Sequence, residues 1–171
     1  MALLKILYIP DGRLREMAEH VENITSKEIQ DFIDDMFETM YDAPGVGLAA
    51  TQVGVAKQIA VIDVSRDKNQ PLVLINPEII DRKNLLRFDE GCLSVPGHYD
   101  NVERADWVKM RAFDRQGKSY ELEAEGLLAE CIQHEIDHLK GKLYIDYLSP
   151  FKQSRIRHKV DKIKRKERAT K

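Results

Sequence analysis

The chain has 171 residues, 43% of them hydrophobic and 33% charged, which supplies one globular core and excludes a disordered or fibrous polypeptide. No apolar run nears the roughly 20 residues of a membrane-spanning helix, and two cysteines, Cys92 and Cys131, are too few for a disulfide scaffold. The net charge of −2 conceals an asymmetry: residues 151–171 carry ten Lys/Arg against Asp161 and Glu167, a net of +8, leaving residues 1–150 at −10.

The opening ten residues, Met1 to Pro10, read as a first strand. Lys5 interrupts the apolar run, and neither a basic start nor a small-residue cleavage site marks a signal peptide, so the compartment expected is the cytoplasm. A helix is predicted over 25–41, where Thr25 and Glu28 form a capping-box pattern and Ile29, Phe32, Ile33, Met36 and Met40 share one face. Asp42-Ala43-Pro44-Gly45 stops it, and a small-residue loop, Gly45-Val46-Gly47-Leu48-Ala49-Ala50, follows. Residues 58–64 and 72–79, rich in Ile, Val and Leu between turn residues, read as strands. Residues 107–113 and 118–123 flank Asp114-Arg115-Gln116-Gly117, a hairpin signal. A second helix covers 125–140 and ends at Gly141; Ser149-Pro150 caps a last one, with Ile156, Val160 and Ile163 as a narrow apolar seam. The expected fold is α+β, a mixed and mainly antiparallel sheet around the 125–140 helix, with an N-terminal and a C-terminal helix. One domain over residues 1–148 and a basic helical extension over 149–171 are expected.

The second helix holds His134-Glu135-Ile136-Asp137-His138. Four residues is about one turn, so both imidazoles leave one face and can converge on a metal ion, with the glutamate beside it to handle protons. Such a site activates water at neutral pH, which points to metal-assisted hydrolysis. On a helical wheel both histidines and Glu135 fall inside the arc of Leu127, Leu128, Cys131, Ile132 and Leu139, so the polar groups lie on a buried stripe and need partners.

A catalytic site of this kind needs a third protein ligand. The metzincin proteases place a further His downstream, where this chain has Tyr144; the thermolysin type uses a later Glu, and here only Glu167 in the basic tail is available. Asp146 would require a tight turn. Cys92, in Phe88-Asp89-Glu90-Gly91-Cys92-Leu93-Ser94-Val95-Pro96, is the better donor, because a thiolate is soft and coordination deprotonates it. Cys131, one turn before His134, suits a pocket wall better than a ligand position.

Three blocks now stand in order: Gly45 to Gln52, Glu90-Gly91-Cys92-Leu93-Ser94, and Gln133 to His138. Together they resemble the three signature motifs of the bacterial peptide deformylases, in the type common among Gram-negative bacteria, and the likeness runs from Asp11 to the last helix. The resemblance implies removal of the formyl group from the initiator formyl-methionine of nascent polypeptides, with release of formate, by metal-bound water or hydroxide. By motif position it assigns the metal to Cys92, His134 and His138, general base and acid catalysis to Glu135, and oxyanion stabilisation to the Gln52 amide and the Leu93 backbone N–H. The metal it implies is ferrous iron, with zinc, nickel or cobalt also found in the family.

The residue chemistry is compatible. A formamide attacked by hydroxide becomes an oxyanion that needs a donor which cannot itself ionise, and Gln52 supplies one. Gly45 and Gly47 let an extended substrate approach, and Val46, Phe88, Leu127 and Cys131 are the expected walls of a methionine pocket. Glu130, at about −40° on the wheel, stands where the family more often has an aliphatic residue; a carboxylate at the solvent rim is the plain expectation, and one pointing inward would put methionine preference in question. Glu90 and Arg104 pair either to brace the Cys92 loop or as a surface ion pair. The basic tail suits a phosphate-rich partner, and the resemblance suggests docking on the ribosome, so that cutting after Ser149 or Pro150 weakens ribosome binding and spares hydrolysis of a short formyl peptide. A monomer without membrane attachment is expected. The rivals are a zinc endopeptidase, indifferent to Cys92→Ala, and a non-catalytic RNA- or ribosome-binding protein with a closed structural metal, indifferent to Glu135→Ala.

Overall fold

The computed structural model describes residues 2–170. Its centre is a five-stranded sheet in the order β1 (Gly47–Ala49), β2 (Ile59–Ile62), β3 (Leu72–Cys92), β4 (Val95–Phe113) and β5 (Ser119–Glu125), every neighbouring pair antiparallel. Among the described residues three α-helices complete it: α1 (Lys27–Asp42), α2 (Gly126–Leu139) and α3 (Pro150–Ala169). None of the helices described is long and apolar enough to cross a membrane.

The strand alternation explains the layering. Successive strand side chains point to opposite faces, so Ile59, Val61 and Ile75 meet Ile29, Ile33, Met36 and Met40 of α1. Their neighbours Ala60, Ile62 and Leu74 meet Ala129, Ile132, Ile136 and Leu139 of α2. With a helix on each face, β2 reads as a continuous apolar run and is buried at all four positions. A third apolar cluster seats α3 on the body: Ile156 and Val160 pack with Leu7, Ile9, Leu14, Val95 and Tyr144.

Several expectations shift. Residues 2–8 form no strand; Leu7 and Ile9 donate backbone bonds to the Gln52 and Ser94 carbonyls instead, pinning the segment to the loops that carry the site. Met1 lies outside the described residues. The cap of α1 is Ser26, whose hydroxyl accepts from the Ile29 N–H at 3.3 Å, because Thr25 is taken up in a turn closed by the Ser26 N–H on the Asn23 carbonyl. The largest difference is length: β3 and β4 run far beyond 72–79 and 107–113 as a long ribbon. Residues 80–87 are exposed, so no buried face imprints a period of two on them. The hairpin around Asp114 stands, its carboxylate accepting from the Gln116 and Lys118 N–H groups.

Candidate metal centre

The ribbon's far end carries the cysteine. Cys92 closes β3 opposite Val95, with Leu93 and Ser94 as the two turn residues between them. The histidines come from α2, whose positions from Ala129 to Ile136 are all buried. The structure brings these distant segments together: Cys92 Sγ lies 3.3 Å from His138 Nε2, which lies 3.2 Å from His134 Nε2, and the three donor atoms all fall within 4.8 Å of one another. Of the other candidates, Asp146 is bound by Arg15 at 2.6 and 2.9 Å, and Glu167 accepts from the Tyr8 hydroxyl. Cys131 lines the adjoining cleft, its thiol pushed up chiefly by burial, and stands outside the cluster.

The fit to a cation can be judged from these contacts. Bond lengths of about 2.0 Å to nitrogen and 2.3 Å to sulfur place tetrahedral ligands about 3.3–3.6 Å apart, close to the two spacings that involve His138. His134 Nδ1 bonds the Glu90 carboxylate at 2.8 Å, which turns its Nε2 toward the other donors. Burial, and then the neighbouring His134, hold His138 well below the ordinary histidine range, in the neutral form that ligation requires. Burial pulls His134 the same way, but bonds to Cys92 and Glu90 outweigh it and raise its affinity for a proton. A donor set that attracts a proton in this manner attracts a metal cation that displaces it. The residues fit.

Around the cluster is a buried bracing network that was only partly foreseen. Arg104, 4% exposed, donates to both Glu90 oxygens at 2.7 and 3.0 Å and to Asp137 at 2.6 Å, so the Glu90–Arg104 pair is internal. Burial pushes the Glu90 carboxyl up, but His134 and Arg104 together hold it below the usual carboxylate range. Asp137 also accepts from Tyr147, and Gln133 ties α2 to β4 by two bonds to the Ala105 backbone. The Gln133 side chain and the Asp137–Tyr147 contact carry no spacing signal; only the strand register and the turn after α2 create them.

Glu135 is 3% exposed, and its Oε1 has no hydrogen-bond partner. Burial is the main cause that pushes its carboxyl up to about 7, suited to both taking and giving a proton near neutrality. The carboxylate lies against Gly47, where any Cβ would collide with its Oε2. Gln52 is fixed end for end: its Oε1 accepts from the Ala49 N–H at 2.9 Å, so its Nε2 faces Ser94 Oγ at 3.0 Å and Cys92 Sγ at 3.6 Å.

These groups open into a cleft of about 620 Å³. Gly45, Val46, Gly47, Gln52, Leu93, Leu127 and Cys131 line it. Phe88 does not; it is half-buried back along the ribbon, opposite Val102. Glu130 lines the cleft and is 9% exposed, so it belongs to the wall and not to a solvent rim. Tyr8, His98 and Tyr99 also line it; an aromatic as exposed as Tyr99 leaves no periodic trace in a sequence.

A thiol and two imidazoles converge beside a buried carboxyl with an unpartnered oxygen, a donor set that could hold a metal ion in the manner of a metallohydrolase. A family model described as polypeptide deformylase matches residues 3–154. A peptide deformylase of Cellvibrio japonicus is 60% identical over 163 residues, 95% of this chain and 96% of that one. The crystal structure of a peptide deformylase from Legionella pneumophila aligns with a TM-score of 0.94 at 54% identity, covering 97% of this chain and 98% of the other. One from Ehrlichia chaffeensis in complex with actinonin gives 0.92 at 41%, covering 96% and 99%. The chain belongs to the polypeptide deformylase family.

Proposed function

We propose that this chain hydrolyses the N-formyl group of initiator formyl-methionine on nascent polypeptides, and that Cys92, His134 and His138 hold the divalent metal the reaction uses. The observation that carries the reading is the convergence of those three donors next to a buried carboxyl with a free oxygen. A divalent cation held there supplies Lewis acidity, which makes water a competent nucleophile near neutral pH. Ferrous iron is the metal proposed; the Cys-His-His set also accommodates zinc, nickel or cobalt.

The chain's own residues do the rest. Glu135 takes a proton from the attacking water through Oε1 and returns it to the departing amine nitrogen as the C–N bond breaks, leaving formate and a free α-amine. The Gln52 Nε2–H, held in place by Ala49 and Ser94, and the Leu93 N–H stabilise the oxyanion that forms on the formyl carbon. β1 is an edge strand that starts at Gly47, so an extended peptide can add along its outer side. Val46, Leu127 and Cys131 contribute apolar surface for the first side chain.

Residues 1–148 are read as the catalytic domain and 149–171 as an extension, helical over Pro150–Ala169, that recruits a ribosome, in a cytoplasmic monomer. Supporting this, Arg155, Arg157, Lys159, Lys162 and Lys166 are exposed and form no ion pair among the described residues. The direct test is formate release from a formyl-Met peptide by anaerobically purified, metal-loaded protein. Stoichiometric formate and free Met N-terminus are expected; cleavage at internal peptide bonds without formate would favour an endopeptidase.

A further inference from the structure

Glu130 is a carboxyl in the wall of the cleft that the reaction does not use. It shares a stripe of α2 with Leu127 and Cys131, one turn before His134, so it borders the space that the first side chain of a bound formyl peptide enters. Although 9% exposed, it makes no hydrogen bond or ion pair among the described residues. The charged groups around it are Glu90 and Asp89 of β3, Arg104 of β4 and His134 of α2. Arg104 and His134 favour its charged form from a distance, but Arg104 bonds Glu90 and Asp137 and His134 bonds Glu90, so neither bonds Glu130. Burial first, and then Glu90, push the carboxyl up to about 7, where it exists both as an acid that donates and as a carboxylate that accepts. The described lining of the cleft holds Asp89, Glu130 and Glu135 and no Lys or Arg.

A carboxyl set in the wall of a cleft without a protein partner is free to pair with a hydrogen-bonding group of a ligand. We propose that Glu130 is the specificity-determining residue of the pocket for the first side chain, admitting formyl peptides whose first side chain is unbranched and ends in a hydrogen-bonding group, formyl-glutamine being the simplest, alongside formyl-methionine. The proposal rests on the deformylase reading and adds to it the chemistry of one wall. Glutamine matches methionine in reach, and its terminal amide both donates and accepts, so either state of Glu130 pairs with it. Against Val46, Leu127 and Cys131 alone the same amide would lose its water and gain nothing.

The test is kcat/KM for two peptides that differ only in the first residue, formyl-glutamine or formyl-norleucine, with metal-loaded wild type, Glu130→Leu and Glu130→Gln. The expected result is a glutamine-to-norleucine ratio at least about tenfold higher in wild type than in Glu130→Leu, carried by KM, with most of it kept by Glu130→Gln. Glu130→Met repeats the comparison if the leucine variant does not fold. Brisk norleucine turnover with one ratio common to all variants overturns the role of Glu130 and leaves the deformylase reading standing. Absence of formate from the norleucine peptide with wild type overturns both.

Discussion

Gln52 is proposed as the oxyanion donor because its orientation is settled by chemistry that is independent of substrate. The Ala49 N–H can only donate, so the amide oxygen must face it and the amide nitrogen must face the cleft. Gln52→Ala is expected to lower kcat by about 10²–10³ with little change in KM, measured by steady-state formate release, because the donor matters most when the oxyanion forms. Glu90 acts one step further out. Its folded-state pKa lies below the unfolded value of about 4.3, so the stabilisation it contributes is present above that pH and is lost as pH falls through the lower folded value. Glu90→Gln leaves the buried Arg104 with Asp137 alone and is expected to cost about 3–5 kcal/mol at pH 7. Urea denaturation from pH 7 to pH 3 should show the gap between wild type and variant closing on acidification. His134 and His138 were legible because their relation is local, one helical turn. The Glu90–Arg104 pair was legible only as one of two alternatives, and its extension to Asp137 not at all, because both depend on the register that sets Leu86 opposite Arg104 and on α2 packing beneath it.

At the scale of elements, the site is a meeting of three backbones: the hairpin end of β3 and β4, the inner face of α2, and the edge strand β1. The last two touch at Gly47, whose missing side chain is the space the Glu135 carboxylate occupies. Gly47→Ala should leave the fold intact by circular dichroism yet displace Glu135 and lower kcat/KM by about 10²-fold, the usual consequence of an ångström-scale misplacement of a catalytic group. The helices were legible from their apolar periodicity and caps, within a residue or two at their ends. The length of β3 and β4 was not, because residues 80–87 are held by ribbon pairing without a buried face. The same ribbon explains Phe88: in the sequence it stands four residues before Cys92, but along a strand that distance carries it away from the cleft.

For the whole molecule, the charge asymmetry read from the sequence becomes a surface. α3 is seated by Ile156 and Val160, and its remaining faces are basic. Truncation at Ser149 would therefore remove core side chains, each contributing about 1.5–3 kcal/mol by burial, together with the charge. Reversing Arg157, Lys159, Lys162 and Lys166 to Glu separates the two effects. Affinity for purified ribosomes should fall steeply and its salt dependence flatten, while a short formyl peptide is still hydrolysed. Unchanged affinity across a salt series would remove α3 as the docking element.

The proposed chemistry requires a cation held by one thiolate and two imidazoles and served by a separate carboxyl. Anaerobic metal analysis paired with formate release, on wild type, Cys92→Ala and Glu135→Ala, tests it most directly. Both variants should be inactive, the first having lost its metal and the second retaining it. Full activity in Cys92→Ala, or loss of metal from Glu135→Ala, would contradict it.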